Sequence, residues 1–373
     1  LTDTPTEAIL LNSFGVYLSP FHPVRENPGL AIERDLALIC QLDRLAYDIV
    51  WIGEHHTGGM EIVAAPEILA SAVATRTRTI RLGLAMSSMA YQSPLLIADR
   101  ILLLDHVSRG RAELAFGPLG TEPDMHAFGL TRRQVIDRMH DAIRTSYGLI
   151  RGDRIDHETN WYRLENAHSQ LRPFRQNIPM TLVAQGIPQD PEVFADLDVG
   201  LMTLSATAPN IRRDLPALWD VFSRNRSESE AAASRQHWTL AGPVHIASSR
   251  SDALRNIRFG LDSWLQYIER VTGMVVDGKS ITDKTALLVD SGLAIIGSPS
   301  DAVSQLKRLE ADTGGFGTFL QIAHNWADTS ATQTSYELFA RYVIPELSGT
   351  NRVRKSQWRD PPSGSLSEDE KTP

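Results

Sequence analysis

One pattern constrains the fold more than any other. Short apolar segments of strand length alternate with segments of helical rhythm along the whole chain. Strand-like segments fall at 10–18, 48–52, 80–85, 111–116, 178–184, 199–204 and 238–247, with an eighth inside 314–323. Among them Val50-Trp51-Ile52 is apolar throughout, as expected of an inner strand of an α/β fold. Helical periodicity fills the intervals at 28–46, 65–77, 94–107, 131–150, 191–197, 210–223, 252–271, 299–313 and 332–343. In the first of these, Leu30, Ile32, Leu36, Leu38, Ile39, Leu42 and Leu45 carry the rhythm. Strand–helix alternation with eight strands predicts an α/β fold, a (β/α)8 TIM barrel, rather than a doubly wound sheet.

Two stretches interrupt the plan. Residues 161–171 read as an excursion, a short hairpin or an extended loop. The second is an insertion near 272–290, in which 272–284 lacks periodicity and reads as an active-site lid or a plain connection. The expected domain organisation is a flexible N-terminus at 1–9, one barrel domain at 10–348 and a disordered tail of Pro, Ser and charge at 349–373.

Composition narrows the function. The 373 residues are 42% hydrophobic and 22% charged, with net charge −8 and no long basic run, which argues against nucleic acid or an anionic membrane as partner. No apolar stretch is long enough to span a bilayer. The first thirty residues lack the look of a signal peptide, so the expected compartment is the cytoplasm. A single cysteine, Cys40, excludes an internal disulfide framework and a cysteine-rich metal site; it falls in a helix stripe and reads as inert core.

The chemistry is expected where the strands end. In parallel α/β folds, loops gather at the C-terminal ends of the strands. Val50-Trp51-Ile52-Gly53 runs directly into Glu54-His55-His56, an acid and two imidazoles with no packing purpose in view. The same mouth would collect Phe21 and His22, Ser87 to Met89 with Tyr91, Gly117 to Gly120, Gln185 and Gly186, and His324 to Trp326. Small residues there let a flat ligand approach the backbone. The mouth lacks the carboxylate pair of a glycosidase. The adjacent histidines lack a third ligand at helical spacing, so no metal is expected. Taken alone, the histidine pair is equally compatible with satisfied core histidines. Glu54 reads as a buried orienting partner and His56 as a packing neighbour. His324 and Trp326 either shape a pocket or simply pack. Gly314-Gly315-Phe316-Gly317 lacks the lysine of a phosphate loop and reads as a turn.

Three motifs then coincide. Glu54-His55-His56, Ile80-Arg81-Leu82-Gly83 and Leu103-Leu104-Asp105-His106-Val107-Ser108-Arg109-Gly110-Arg111 resemble, in order and spacing, the bacterial-luciferase-like flavin-dependent monooxygenases. Gly297-Ser298-Pro299, Ala323-His324-Asn325-Trp326-Ala327-Asp328 and the run from Ser335 to Val343 look closest to the limonene monooxygenase branch. The resemblance implies a (β/α)8 barrel, usually a homodimer. It also implies an oxygenation in which reduced FMN, or FAD, reacts with dioxygen and an apolar substrate, a terpenoid for instance, receives one oxygen atom. NAD(P)H would act through a separate flavin reductase. It makes His55 the catalytic residue beside the flavin. Met86, Ser87, Gly117, Pro118 and Leu119 would border the ring, with a non-prolyl cis bond near Met86-Ser87. Glu54, His56, Phe21, His22, Tyr91, His324 and Trp326 would line the substrate pocket.

The sequence also departs from that pattern. Luciferases place an arginine where Pro118 stands, and Arg138 in the next helix is the candidate replacement at the flavin phosphate. After the fifth strand, Gln185 and Gly186 take the cofactor positions, but Asp190 and Glu192 would oppose a phosphate. Two other functions therefore stay open: a deazaflavin-dependent oxidoreductase, and a non-catalytic barrel that has lost flavin binding and serves as a partner subunit.

Overall fold

The computed structural model describes residues 11–19, 21–86, 88–117, 121–184, 197–224, 234–272 and 280–359. The chain opens with β1 (Ser13–Leu18), α1 (Pro28–Arg44), β2 (Ile49–Gly53), α2 (Pro66–Ala74), β3 (Arg81–Met86), α3 (Pro94–Ser108) and β4 (Ala112–Phe116). A short α4 (Glu122–Ala127) and a long α5 (Arg132–Arg151) precede a hairpin, β5 (Ile155–Glu158) and β6 (Arg163–Ala167). Then follow β7 (Met180–Val183), β8 (Gly200–Thr203), α6 (Pro209–Ser223), β9 (Trp238–Ile246), α7 (Arg250–Asn256), α8 (Leu261–Thr272) and α9 (Ile281–Asp290). The last elements are β10 (Ile295–Gly297), α10 (Pro299–Thr313), β11 (Thr318–Ile322), α11 (Thr329–Leu338), a π-helical turn at Phe339–Val343, α12 (Ile344–Leu347) and α13 (Arg352–Arg359).

The strands run β1-β2-β3-β4-β7-β8-β9-β11, every pair parallel, and β11 returns to β1. This is the closed eight-stranded barrel that the alternation predicted. β9 is longer than the rest because its second half, Val244 to Ile246, leaves the barrel and pairs with β10. Its first half still joins β8 to β11.

Alternate residues of the strands meet inside the barrel: Ile49, Trp51, Ala85, Ala115, Val183, Met202, Ala241 and Leu320. Trp51 fits there only because β3 offers Gly83; a Cβ at that position would lie 2.3 Å from the indole ring. The other face packs against the helices as a large apolar shell. A separate cluster, with Phe21, Trp264, Tyr267, Leu288, Ile296 and Trp326, sits where α8, α9 and β10 meet the barrel rim.

Three expectations need correction. The excursion at 161–171 is the β5–β6 hairpin, shifted toward the N-terminus, because Thr159 Oγ1 accepts from the backbone of Trp161 and Tyr162 at 3.2 and 3.1 Å and fixes the turn. Within the insertion, 281–290 is helical, not loop: Ser280 and Asp283 form a capping box that starts α9. Residues 273–279 lie outside the described residues. In the stretch read as tail, 352–359 forms α13, anchored by an ion pair from Lys355 to Glu346 and by Arg354 donating to Asn351 at 3.1 Å. Residues 1–10 and 360–373 lie outside the description, as does most of the helix expected at 191–197.

The Asp105 to Arg111 motif is a brace at the opposite end of the barrel from the strand C-termini. Arg109 and Gly110 take positive φ (59° and 83°) and stop α3. The Arg111 guanidinium then donates to Ala74 O, Thr77 Oγ1 and Ile80 O at 2.7, 2.9 and 2.8 Å, joining the end of α2 to the start of β3.

Candidate active site

The end of β2 delivers Glu54, His55 and His56 onto a loop that doubles back. Gly58 and Gly59 adopt φ of 92° and 73°, conformations that favour glycine. The reversal lets His55 N donate to Val63 O and brings Glu61 opposite Phe21 in a backbone bridge. From the other side, Thr121 caps α4 and places Asp124 in its first turn, where it is fully buried.

His55 is held at both edges. Its Nε2 lies 3.0 Å from Glu61 Oε2, and its Nδ1 lies 3.3 Å from Asp124 Oδ2. Each carboxylate is itself fixed. Asp124 Oδ1 accepts from Thr57 Oγ1 at 2.6 Å and from His56 N at 3.2 Å. Glu61 Oε1 accepts from Ser19 Oγ at 3.0 Å and from the Tyr267 hydroxyl. Glu54 is buried beneath; it accepts from Ser88 N at 3.1 Å and lies 3.2 Å from His56 Nε2.

The protonation states follow. Burial opposes a charge on His55, but the bonds to Asp124 and Glu61 outweigh it and raise the imidazole to about 9. Burial likewise opposes ionised Asp124, yet His55 and Thr57 hold that carboxyl well below the usual range. The bond to Glu54 raises His56 too. At neutral pH His55 is therefore an imidazolium, a proton donor with 22% of its side chain exposed, set between two buried carboxylates.

The other expected site residues divide. Phe21, Glu54, His56 and Tyr91 gather around His55. Tyr91 stacks on Phe128 with centroids 4.2 Å apart, and Phe128 meets His56 edge-on at 5.1 Å. Burial, with Asp124 and Glu54 near, pushes Tyr91 up to about 12, and its buried hydroxyl has no hydrogen-bond partner among the described residues. Gly117 directly follows β4 at the mouth, against Val183. Met86 closes β3. Ser87, Pro118, Leu119, Gln185 and Gly186 lie outside the described residues, as does any peptide bond of Ser87; no cis peptide occurs among the rest.

Two assignments look different in the structure. His22 is spent on Asp35 of α1, at 2.7 Å with both groups buried. Arg138, considered for the phosphate, has its guanidinium 5.2 Å from the Trp161 ring centroid. His324 and Trp326 belong to the rim. Their rings stack at 3.7 Å, His324 Nε2 donates to Val244 O at 3.0 Å, and Nδ1 accepts from Trp326 N at 3.1 Å. Burial pushes His324 down to about 3, so it stays neutral.

Sequence reasoning missed Glu61, Asp124 and Tyr267. The Thr121-Glu122-Pro123-Asp124 start of α4 is a helix N-terminal signature with acids in its first turn, and it could have pointed to Asp124. No group of three or more His, Cys, Asp or Glu among the described residues could hold a metal ion. No helix among them is long and apolar enough to cross a membrane.

A barrel with an ion-paired histidine at the end of its second strand defines a class, and comparison with known proteins names it. Residues 13–316 match the model of the luciferase-like monooxygenases, and the chain belongs to that family. It is 34% identical over 336 residues to limonene 1,2-monooxygenase of Rhodococcus erythropolis, covering 90% of this chain and 87% of that one. It is 33% identical over 349 residues to 4-hydroxyprotoasukamycin monooxygenase of Streptomyces nodosus subsp. asukaensis, covering 91% and 93%. In fold it is similar to the oxygenating constituent of 3,6-diketocamphane monooxygenase of Pseudomonas putida, solved with FMN. That match has a TM-score of 0.72 at 18% identity, covering 91% and 99% of the two chains. The expectation of a monooxygenase on a (β/α)8 barrel stands.

Proposed function

We propose that the chain is the oxygenase component of a two-component system. It would use reduced FMN from a separate NAD(P)H-dependent reductase, with dioxygen, to oxygenate an apolar small molecule of terpenoid type. The carrying observation is the His55 imidazole, held between Glu61 and Asp124 at 3.0 and 3.3 Å yet partly exposed at the mouth. The two carboxylates hold a proton on that imidazole at the mouth, where a bound reduced flavin would lie and would supply the redox chemistry. His55, Tyr91 and the strand ends at Met86 and Gly117 would hold the ring; Arg138 and the residues after β7 remain the candidates for its phosphate. Bound reduced flavin would supply the chemistry with dioxygen. The protein's part is to hold a proton at His55 and to keep water out with the aromatic rim of Phe21, Trp264 and Trp326.

The named relatives support the substrate class, since one acts on limonene. The solved relative, named an oxygenating constituent and bound to FMN, supports a separate reductase. A homodimer fits the outer face of α2 and α3, where Ile68, Leu96, Leu103 and Val107 are 69, 49, 57 and 42% exposed.

The test is anaerobic titration with reduced FMN, followed by mixing with air in a stopped-flow spectrophotometer. Saturable binding, then an absorbance transient before oxidised flavin appears, is expected. Binding of a deazaflavin in place of FMN would move the chain to hydride transfer. Failure to bind FMN, FAD or a deazaflavin would leave the partner-subunit reading.

A further inference from the structure

We infer that Tyr267 is a positioning residue for His55: with Ser19 it occupies one oxygen of Glu61, so that the other oxygen is presented to the imidazole. The inference deepens the function proposed above, because it takes His55 as the proton-holding group of that site.

The geometry is a relay between distant parts of the chain. Tyr267 lies on α8, 206 residues beyond Glu61, and its hydroxyl donates to Glu61 Oε1. Ser19, just past β1, donates to the same oxygen at 3.0 Å. Glu61 Oε2 is left to face His55 Nε2 at 3.0 Å. The Tyr267 ring is itself fixed, tilted against Phe21 with centroids 4.9 Å apart, and Phe21 bridges the backbone of Glu61. A carboxylate on a loop with two glycines at positive φ has few local restraints. Here two donors from outside the loop set its orientation. Burial, with Glu61 near, raises the Tyr267 phenol far above its ordinary range, so it remains a donor at every working pH.

The arrangement serves the proposed chemistry for a physical reason. An imidazolium clamped between two carboxylates can release a proton productively only if its ring plane is fixed. Asp124 is rigid within α4 and its own bonds, whereas Glu61 depends on Tyr267 and Ser19. The titratable groups about His55 are Glu54, His56 and Glu61 of its own connection and Asp124 of α4. Tyr17 of β1, Tyr91 after β3 and Tyr267 of α8 complete the set, all three acting through these carboxylates.

The experiment is a double-mutant cycle read on the His55 titration, followed by NMR in the full-length, flavin-free protein and assigned with His55→Gln. In wild type, Glu61→Gln should lower the His55 pKa by about one unit or more, since an opposite charge is lost. In the Tyr267→Phe background, which keeps the ring on Phe21, the same substitution should have less than half that effect. Ser19→Ala should weaken the coupling less, and it serves as the second variant if Tyr267→Phe does not fold. Thermal melting is measured alongside. If Tyr267→Phe lowers the melting temperature but leaves the Glu61→Gln shift at full size, its role is packing alone and the inference is overturned. Should wild type fail to bind reduced FMN while the cycle still collapses, the flavin reading falls and the positioning role of Tyr267 stands.

Discussion

His55 and Asp124, 69 residues apart, face each other at 3.3 Å across the barrel mouth, and neither can be understood without the other. Asp124 is fully buried and ionised because an imidazolium lies beside it. His55 in turn stays protonated at neutral pH because that carboxylate and Glu61 outweigh its own desolvation.

Removing the imidazole should therefore abolish chemistry more than folding. For His55→Ala we expect turnover to fall by about 100-fold or more, the range for loss of a positioned acid. Circular dichroism should still report a folded barrel, while the melting temperature at neutral pH should fall, because Glu61 and Asp124 lose the imidazolium that pairs them. Product formation at the wild-type rate would remove His55 from the catalytic role.

The same ion pair makes stability depend on pH. The His55 pKa rises from 6.5 to about 9 on folding, so its contribution is fully present below 6.5 and is lost as pH rises through about 9. Asp124 is depressed from 3.8, so its contribution is present above that value and is lost as pH falls below it. The melting temperature should hold between these limits and decline on the alkaline side. In His55→Gln the alkaline decline should shrink; an unchanged profile would mean that the imidazolium is not paired in solution.

Inside the barrel, Gly83→Ala is expected to be costly. The new methyl would sit 2.3 Å from the Trp51 ring, and an indole enclosed by neighbouring strands has nowhere to swing. Overpacking of this kind costs about 1–3 kcal/mol or more. Urea denaturation would show it as a lower midpoint, and relief by Trp51→Leu in the double variant would confirm the contact as the cause.

On the outer surface, Leu103→Glu should test the assembly. Leu103 and its neighbours on α3 form an apolar stripe on the solvent side of a helix whose inner face is already packed. Wild type is expected to sediment as a dimer and Leu103→Glu as a monomer. Identical sedimentation of the two would take this face out of any interface.

The barrel was legible in the chain because buried strands leave short, largely apolar segments between helices, and every barrel strand overlaps an expected one, β2 and β3 running one residue further. The position of His55 was legible for the same reason, since Glu54, His55 and His56 are the first polar groups past such a run. Its clamp was not. Glu61 and Asp124 lie in connections without periodicity, and their approach to His55 depends on turns at Gly58, Gly59 and Thr121 that fix distance only in three dimensions. Tyr267 reads in sequence as one more apolar position of an amphipathic helix. His22 shows the converse: its place after β1 suggested the mouth, and only the fold reveals Asp35 waiting on α1. The capping box of α9 was present at Ser280 and Asp283, but its apolar run is too short to show a period.

The rim around Phe21, Trp264, Leu288 and Trp326 packs as a core separate from the shell that holds the barrel together. That second core also holds Tyr267, which joins Phe21 to Glu61, so a change in the rim would reach His55 even with the barrel strands left as they are. A repacked rim would therefore be felt first in the orientation of one imidazole, and only afterwards in the stability of the barrel.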